Sequence, residues 1–125
     1  MSYLLDTDVL LWALESPDRL GVEPRRLLER AATMVFASAV SAWEIEIQRG
    51  LGKLRAPIDL AAELRVVRFT ELPLHLRHVQ ALGRLPNLGG DPYDRMLVAQ
   101  AIADDLTLVT HDGRLCEYPV KTLAV

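Results

Sequence analysis

A single cysteine, Cys116, among 125 residues excludes an internal disulfide and a thiolate metal cage; it reads as a small, half-buried apolar residue. Long apolar runs are missing too. The longest, Val9 to Leu14, falls far short of the roughly 20 residues that cross a bilayer, so no membrane span is expected. Met1 to Asp6 carry no basic stretch followed by a longer apolar segment, so no secretory leader is expected and the cytoplasm is the expected location. His75 and His78 stand three apart without the glutamate of a His-Glu-x-x-His site, and read as surface or packing residues. No Gly-x-Ser-x-Gly elbow is present, which argues against a serine hydrolase, and Gly50-Leu51-Gly52-Lys53 lacks the spacing of a phosphate loop. Aromatics are scarce, at 6%, and Trp12 and Trp43 lie on apolar helical stripes that suit a core better than a base-stacking platform. Surplus positive charge is also absent: the net charge of -3 opposes a polyanionic partner. That objection weakens if four acids sit on a metal, which would leave the rest near balance. Twelve of the 14 basic residues are arginines, whose forks suit phosphate.

What is present is ordinary globular composition, 50% hydrophobic and 25% charged, at a length that supports one domain over residues 1–125. Tyr3 to Leu5 reads as a strand ending at Asp6, with a helix over Val9 to Leu14 stopped by Pro17. A second helix begins near Pro24, and Met34 to Ala37 is a strand. Ser41 opens a helix carrying Trp43, Ile47, Leu51 and Leu54, which Gly50 and Gly52 weaken at its end. Leu60 to Val66 looks helical, Val67 to Thr70 a strand, and Leu74 to Leu82 a helix. Pro86 to Pro92 is a loop. Tyr93 to about Ala103 is a helix apolar nearly all round, hence buried. Leu106 to Thr110 is a buried strand and Val120 to Leu123 a last short one. Strands separated by helices predict an α/β fold with a mostly parallel sheet and helices on both faces.

In such sheets ligands bind beyond the carboxyl ends of the strands. Asp6 and Asp112 follow strands, while Glu44 and Asp94 fall in the first turns of their helices, so all four can face one crevice. Each has a plain structural alternative. Ser41 to Glu44 spells a capping box; Asp91, Pro92 and Asp94 make a good helix start; Asp8 suits an N-cap; Asp112 before Gly113 is an ordinary turn pair. Only Asp6 has no evident structural reason. Taken jointly, carboxylates converging on one crevice repel unless protonated or bridged by a cation. Hard oxygen donors without a cysteine or a histidine pair favour Mg²⁺ or Mn²⁺ over zinc. Such a site suits hydrolysis of a phosphodiester.

With those residues in place, the whole chain resembles the PIN-domain nucleases, and more narrowly the VapC-type toxin ribonucleases of toxin–antitoxin pairs. The resemblance is carried by Tyr3 to Leu10, by Ser38 to Ile45 with Gly52-Lys53-Leu54, by Asp91 to Ala101, and by Leu108 to Asp112. Asp8 stands where asparagine is commoner, and Gly89 where a histidine often is. The resemblance implies a three-layer PIN-like fold and a metal-dependent endoribonuclease with Asp6, Glu44, Asp94 and Asp112 as catalytic and metal-binding acids. It further implies Thr110 as a supporting hydroxyl with help from Asp8 and Asp91, a homodimer, an RNA substrate, and inhibition by a cognate VapB-type antitoxin. Two rivals fit the acids less well. A receiver-like Mg²⁺-binding signalling domain needs a phosphoacceptor Asp after the third strand, where Thr70 and Glu71 stand. A phosphatase of the haloacid-dehalogenase type could use Asp6 and Asp8, but places threonine where this chain has Leu10.

Overall fold

The computed structural model describes residues 1–57 and 59–125. Its strands are β1 (Ser2–Leu5), β2 (Met34–Ser38), β3 (Thr70–Leu72), β4 (Thr107–Thr110) and β5 (Thr122–Ala124). The helices are α1 (Thr7–Glu15), α2 (Val22–Leu28), α3 (Ala39–Gly50), α4 (Leu60–Val67), α5 (Leu76–Gly83) and α6 (Pro92–Ala103). Short 3₁₀ turns cover Pro17–Leu20 and Gly113–Glu117. All four pairings are parallel, in the order β3-β2-β1-β4-β5, as the helical crossovers require.

Strand alternation sorts the core into two layers. On β1, Tyr3 and Leu5 point to one side, where they pack with Val9, Leu10, Leu28, Leu64 and Val109. Leu4 points to the other, against Val40, Leu97, Val98, Ala101 and Leu108. The central strand is thus buried on both faces, which places its carboxyl end, and Asp6, inside the protein.

Several elements differ from the sequence reading. α3 starts at Ala39, because the Ser38 hydroxyl accepts the Val40 N–H at 2.9 Å; Ser41 lies inside the helix and Glu44 in its second turn. The expected capping box is therefore not formed. The exposed face of α3 carries Trp43, Ile47 and Leu51, while Val40, Ser41 and Ile45 turn inward; Trp43, read as core, is 57% exposed. α4 runs through Val67, where a strand was expected. It ends at Arg68, which takes the left-handed conformation (φ 62°) while the Phe69 N–H closes onto the Leu64 carbonyl at 3.0 Å, and β3 follows at Thr70. The last strand is displaced to Thr122–Ala124 because Pro119 and a tight turn from Val120 N–H to Tyr118 O occupy its expected start. α5 begins at Leu76, two residues late, and α2 begins at Val22 ahead of Pro24. Cys116 is exposed, contrary to the half-buried reading.

Candidate active site

The sheet delivers Asp6 at the end of β1, only 4% exposed. Its Oδ1 accepts the Val9 N–H at 2.9 Å and so caps α1, the role expected of Asp8; a strand-to-helix junction does give this carboxylate a structural reason. Its Oδ2 accepts the Thr110 hydroxyl at 2.5 Å across the β1–β4 pair. That hydroxyl also accepts the Asp112 N–H at 3.0 Å, so one threonine ties two of the acids together. Burial pushes the Asp6 carboxyl up, against the lowering by Thr110 and Val9.

Glu44 projects from α3 to accept the Thr7 hydroxyl at 2.7 Å, with Ser41 Oγ 3.0 Å from the same oxygen. Its carboxyl is raised by burial and then, after an opposing bond from Thr7, by the charges of Asp91, Asp8 and Asp6. Asp91 caps α6 as expected, accepting the Tyr93 and Asp94 N–H groups at 2.7 and 3.1 Å. Asp94 carries the largest perturbation. Burial in the first turn of α6, followed by repulsion from Asp91, Asp6, Glu44 and Asp112, pushes it up to about 7. Four carboxylates from four chain segments therefore bear on one group.

Asp112 behaves differently. Arg114 donates to it through Nε at 3.1 Å and through Nη2 at 2.9 Å, which holds its carboxyl below the usual range. Asp8 lies at the rim, 2.9 Å from His111 Nε2, and the His111 ring packs against Trp12 at a tilt of 37°, their centroids 4.7 Å apart. Neither Thr7, His111 nor Arg114 stands out in the sequence as part of the site. Thr7 and His111 had a signal in their places, between Asp6 and Asp8 and between Thr110 and Asp112; Arg114 had none. A cavity of about 70 Å³ opens between Asp94, Asp112, Arg95 and Tyr118, and Arg95 Nε is buried on its wall with no partner among the described residues. The larger hollow, about 400 Å³, lies at the opposite, amino-terminal edge of the sheet, lined by Leu20, Leu28, Val35 and Phe69, away from the acids.

As they stand, no three His, Cys, Asp or Glu side chains among the described residues form a set that could hold a metal ion. The hydrogen bonds explain this: Asp6 and Glu44 are turned onto hydroxyls and Asp112 onto Arg114. The donor chemistry nonetheless fits a hard divalent ion. Asp94 is crowded by negative charge that such an ion would relieve, and every candidate donor is a carboxylate oxygen.

Comparison with known proteins agrees with the architecture. A curated relative, Ribonuclease VapC22 of Mycobacterium tuberculosis, is 28% identical over 123 residues, covering 90% of this chain and 88% of the relative. A solved structure of VapBC2 from Rickettsia felis, bound to a DNA fragment from their promoter, contains a similar chain at a TM-score of 0.76 and 20% identity, covering 99% and 98% of the two chains. DNA-bound VapBC from Salmonella typhimurium matches at 0.69 and 21%, with the same coverage. At those identities the structures speak for the fold alone. A PIN domain family model aligns with residues 3–121, nearly the whole chain, and by that match the protein belongs to the PIN domain family.

Proposed function

We propose that this protein is a divalent-metal-dependent endoribonuclease that hydrolyses RNA phosphodiester bonds, the toxin of a toxin–antitoxin pair held inactive by a VapB-type antitoxin. The observation that carries the chemistry is the convergence of Asp91, Asp6, Glu44 and Asp112 from four chain segments on Asp94, whose carboxyl is pushed up to about 7 by burial and by their charge. The 28% identity to a ribonuclease over most of both chains supports the substrate class. VapBC structures among those of like fold support the partner.

In this reading Asp6, Glu44, Asp94 and Asp112 would hold Mg²⁺ or Mn²⁺. When bound, such an ion would supply an activated water and countercharge for the phosphate and the leaving oxygen. The chain's own residues supply the rest. Thr110 holds Asp6 and the backbone of Asp112, Thr7 aims Glu44, and Asp91 anchors the first turn of α6 beneath Asp94. Arg114 lines the cavity, and its guanidinium would be available to a phosphate if a metal ion drew Asp112 away from it. The same reading expects a cytoplasmic homodimer, as the resemblance to VapC-type toxins implies.

Purified protein is expected to cleave RNA with Mn²⁺ or Mg²⁺ and to stop when EDTA is added. Asp6→Asn keeps the cap on α1 and is expected to remove cleavage without unfolding, checked by gel assay and circular dichroism. Cleavage that persists in EDTA or in the variant would refute the assignment. The toxin role is tested separately: induction of the wild-type chain alone should arrest growth of its host while Asp6→Asn does not. Normal growth under verified expression would leave a nuclease without a toxin function.

A further inference from the structure

One polar side chain interrupts the buried length of α6: Gln100, 0% exposed. A buried amide is unfavourable unless its donors and acceptor are used. Here they are used. The Ser38 hydroxyl donates to Gln100 Oε1 at 2.5 Å, and Nε2 donates to the Pro73 carbonyl and to His78 Nδ1, each at 3.3 Å. His78, also fully buried, accepts the His75 N–H on the same Nδ1 at 3.0 Å, which leaves its Nε2 proton for Asp104 Oδ2 at 3.0 Å. Arg77 holds Asp104 from the surface at 2.9 and 3.1 Å. The network runs from the N-cap of α3, through α6, to α5.

This network joins the two helices that carry central acids of the site. Glu44 lies six residues beyond Ser38 on α3, and Asp94 six residues before Gln100 on α6. Six residues of helix rise about 9 Å, so a tilt of about 10° at the Ser38–Gln100 joint moves either carboxylate by about 1.5 Å. Metal–ligand distances tolerate about 0.2 Å. Replacing the amide alone would leave Ser38, Pro73 and His78 each short of a buried partner, so a loss of stability by itself does not separate a positioning role from a structural one, whereas a loss of metal affinity does. Resting on the metal-nuclease reading above, we infer that Gln100 is a positioning residue, whose bonds to Ser38 and His78 lock the backbone of α6 against α3 and so fix the positions from which Asp94 and Glu44 would turn toward a shared divalent ion.

The test is Gln100→Met, compared with wild type by calorimetric titration with Mn²⁺ and by thermal melting in EDTA. The variant is expected to bind Mn²⁺ about tenfold or more weaker, to need correspondingly more Mn²⁺ for half-maximal RNA cleavage, and to melt lower in EDTA because Ser38, Pro73 and His78 lose a buried partner. A purely structural role would lower the melting temperature and leave Mn²⁺ affinity unchanged, and that result overturns the inference. If Gln100→Met does not fold, Gln100→Glu serves: it keeps the acceptor for Ser38, loses the donors to Pro73 and His78, and should also weaken Mn²⁺ binding, an unchanged affinity again being fatal. Wild-type protein that neither binds Mn²⁺ nor cleaves RNA removes the nuclease reading and this inference together. Wild type that does both, beside a variant that binds equally well, removes only the inference.

Discussion

Asp94→Asn is expected to abolish RNA cleavage and, in the same protein, to raise the melting temperature of the metal-free form. The two effects share one cause. The folded carboxyl is displaced from 3.8 to about 7, by burial first and by Asp91, Asp6, Glu44 and Asp112 next. Between those values the folded state binds a proton that the unfolded chain releases, so the stability associated with this group is present below pH 4 and is lost as pH rises through 7. Above that the penalty levels off, on the order of a few kcal/mol after allowance for solvent screening at a half-buried group. Asparagine removes the charge and therefore that part of the slope, while burial of Asp6 and Glu44 keeps a weaker trend of the same sign. Unfolding midpoints in EDTA from pH 5 to 8 measure it: the wild-type curve should fall more steeply, and the variant should lie above it at pH 8. Equal slopes would show that Asp94 is not held in a repulsive cluster. Mn²⁺ should raise the wild-type midpoint by mass action and raise the variant's much less.

The second large effect is predicted at Thr110→Val, which keeps shape and strand propensity but deletes one hydroxyl. That oxygen donates to buried Asp6 at 2.5 Å and accepts from the Asp112 backbone at 3.0 Å, so the substitution leaves a carboxylate oxygen and an N–H unmatched at the heart of the site. The expected loss is about 1–3 kcal/mol in denaturant unfolding, with a fall of roughly 10–100-fold in cleavage, as for supporting groups of metal ligands in general. The sign at Asp6 follows: deprived of the bond that lowers it, its carboxyl rises further, and the deficit in stability should be greatest at high pH. Wild-type activity in a Thr110→Val protein would mean that β4 supplies Asp6 with nothing beyond strand packing.

Much of this site was legible in the amino-acid order because the chemistry and the fold use the same junctions. Asp6 and Asp112 follow strands that read clearly from their apolar runs, and Asp91-Pro92 announces the start of α6 through the residue types that caps require. The errors came where a local signal had two uses. Ser38 and Ser41 are both acceptable caps; the strand β2 continuing to Ser38 decided for the first, and freed Glu44 from the capping box. Trp43 lies on a stripe with Ile47 and Leu51 that looks like a core face, yet the sheet meets α3 on the side of Val40, Ser41 and Ile45. β-branched Val67 was read as the start of a strand, but burial of Leu64 keeps α4 helical through it to the left-handed Arg68. Cys116 shows the same limit on a smaller scale, since a lone residue in a turn carries no periodicity from which its burial can be read.

By itself the sequence determined the alternation of strands and helices, the parallel sheet that this demands, and a set of acids at the ends of its elements, since apolar period and capping chemistry act over a few residues. Only the tertiary structure decided what each acid faces. The Thr110–Asp6 bond crosses the β1–β4 pair, the Thr7–Glu44 bond joins α1 to α3, Arg114 takes Asp112, and Gln100 reaches Ser38 across 62 residues. The physical reason is that hydrogen bonds and charge repulsion depend on distances of a few ångströms, and such distances between remote segments exist only after the sheet has brought its strand ends together.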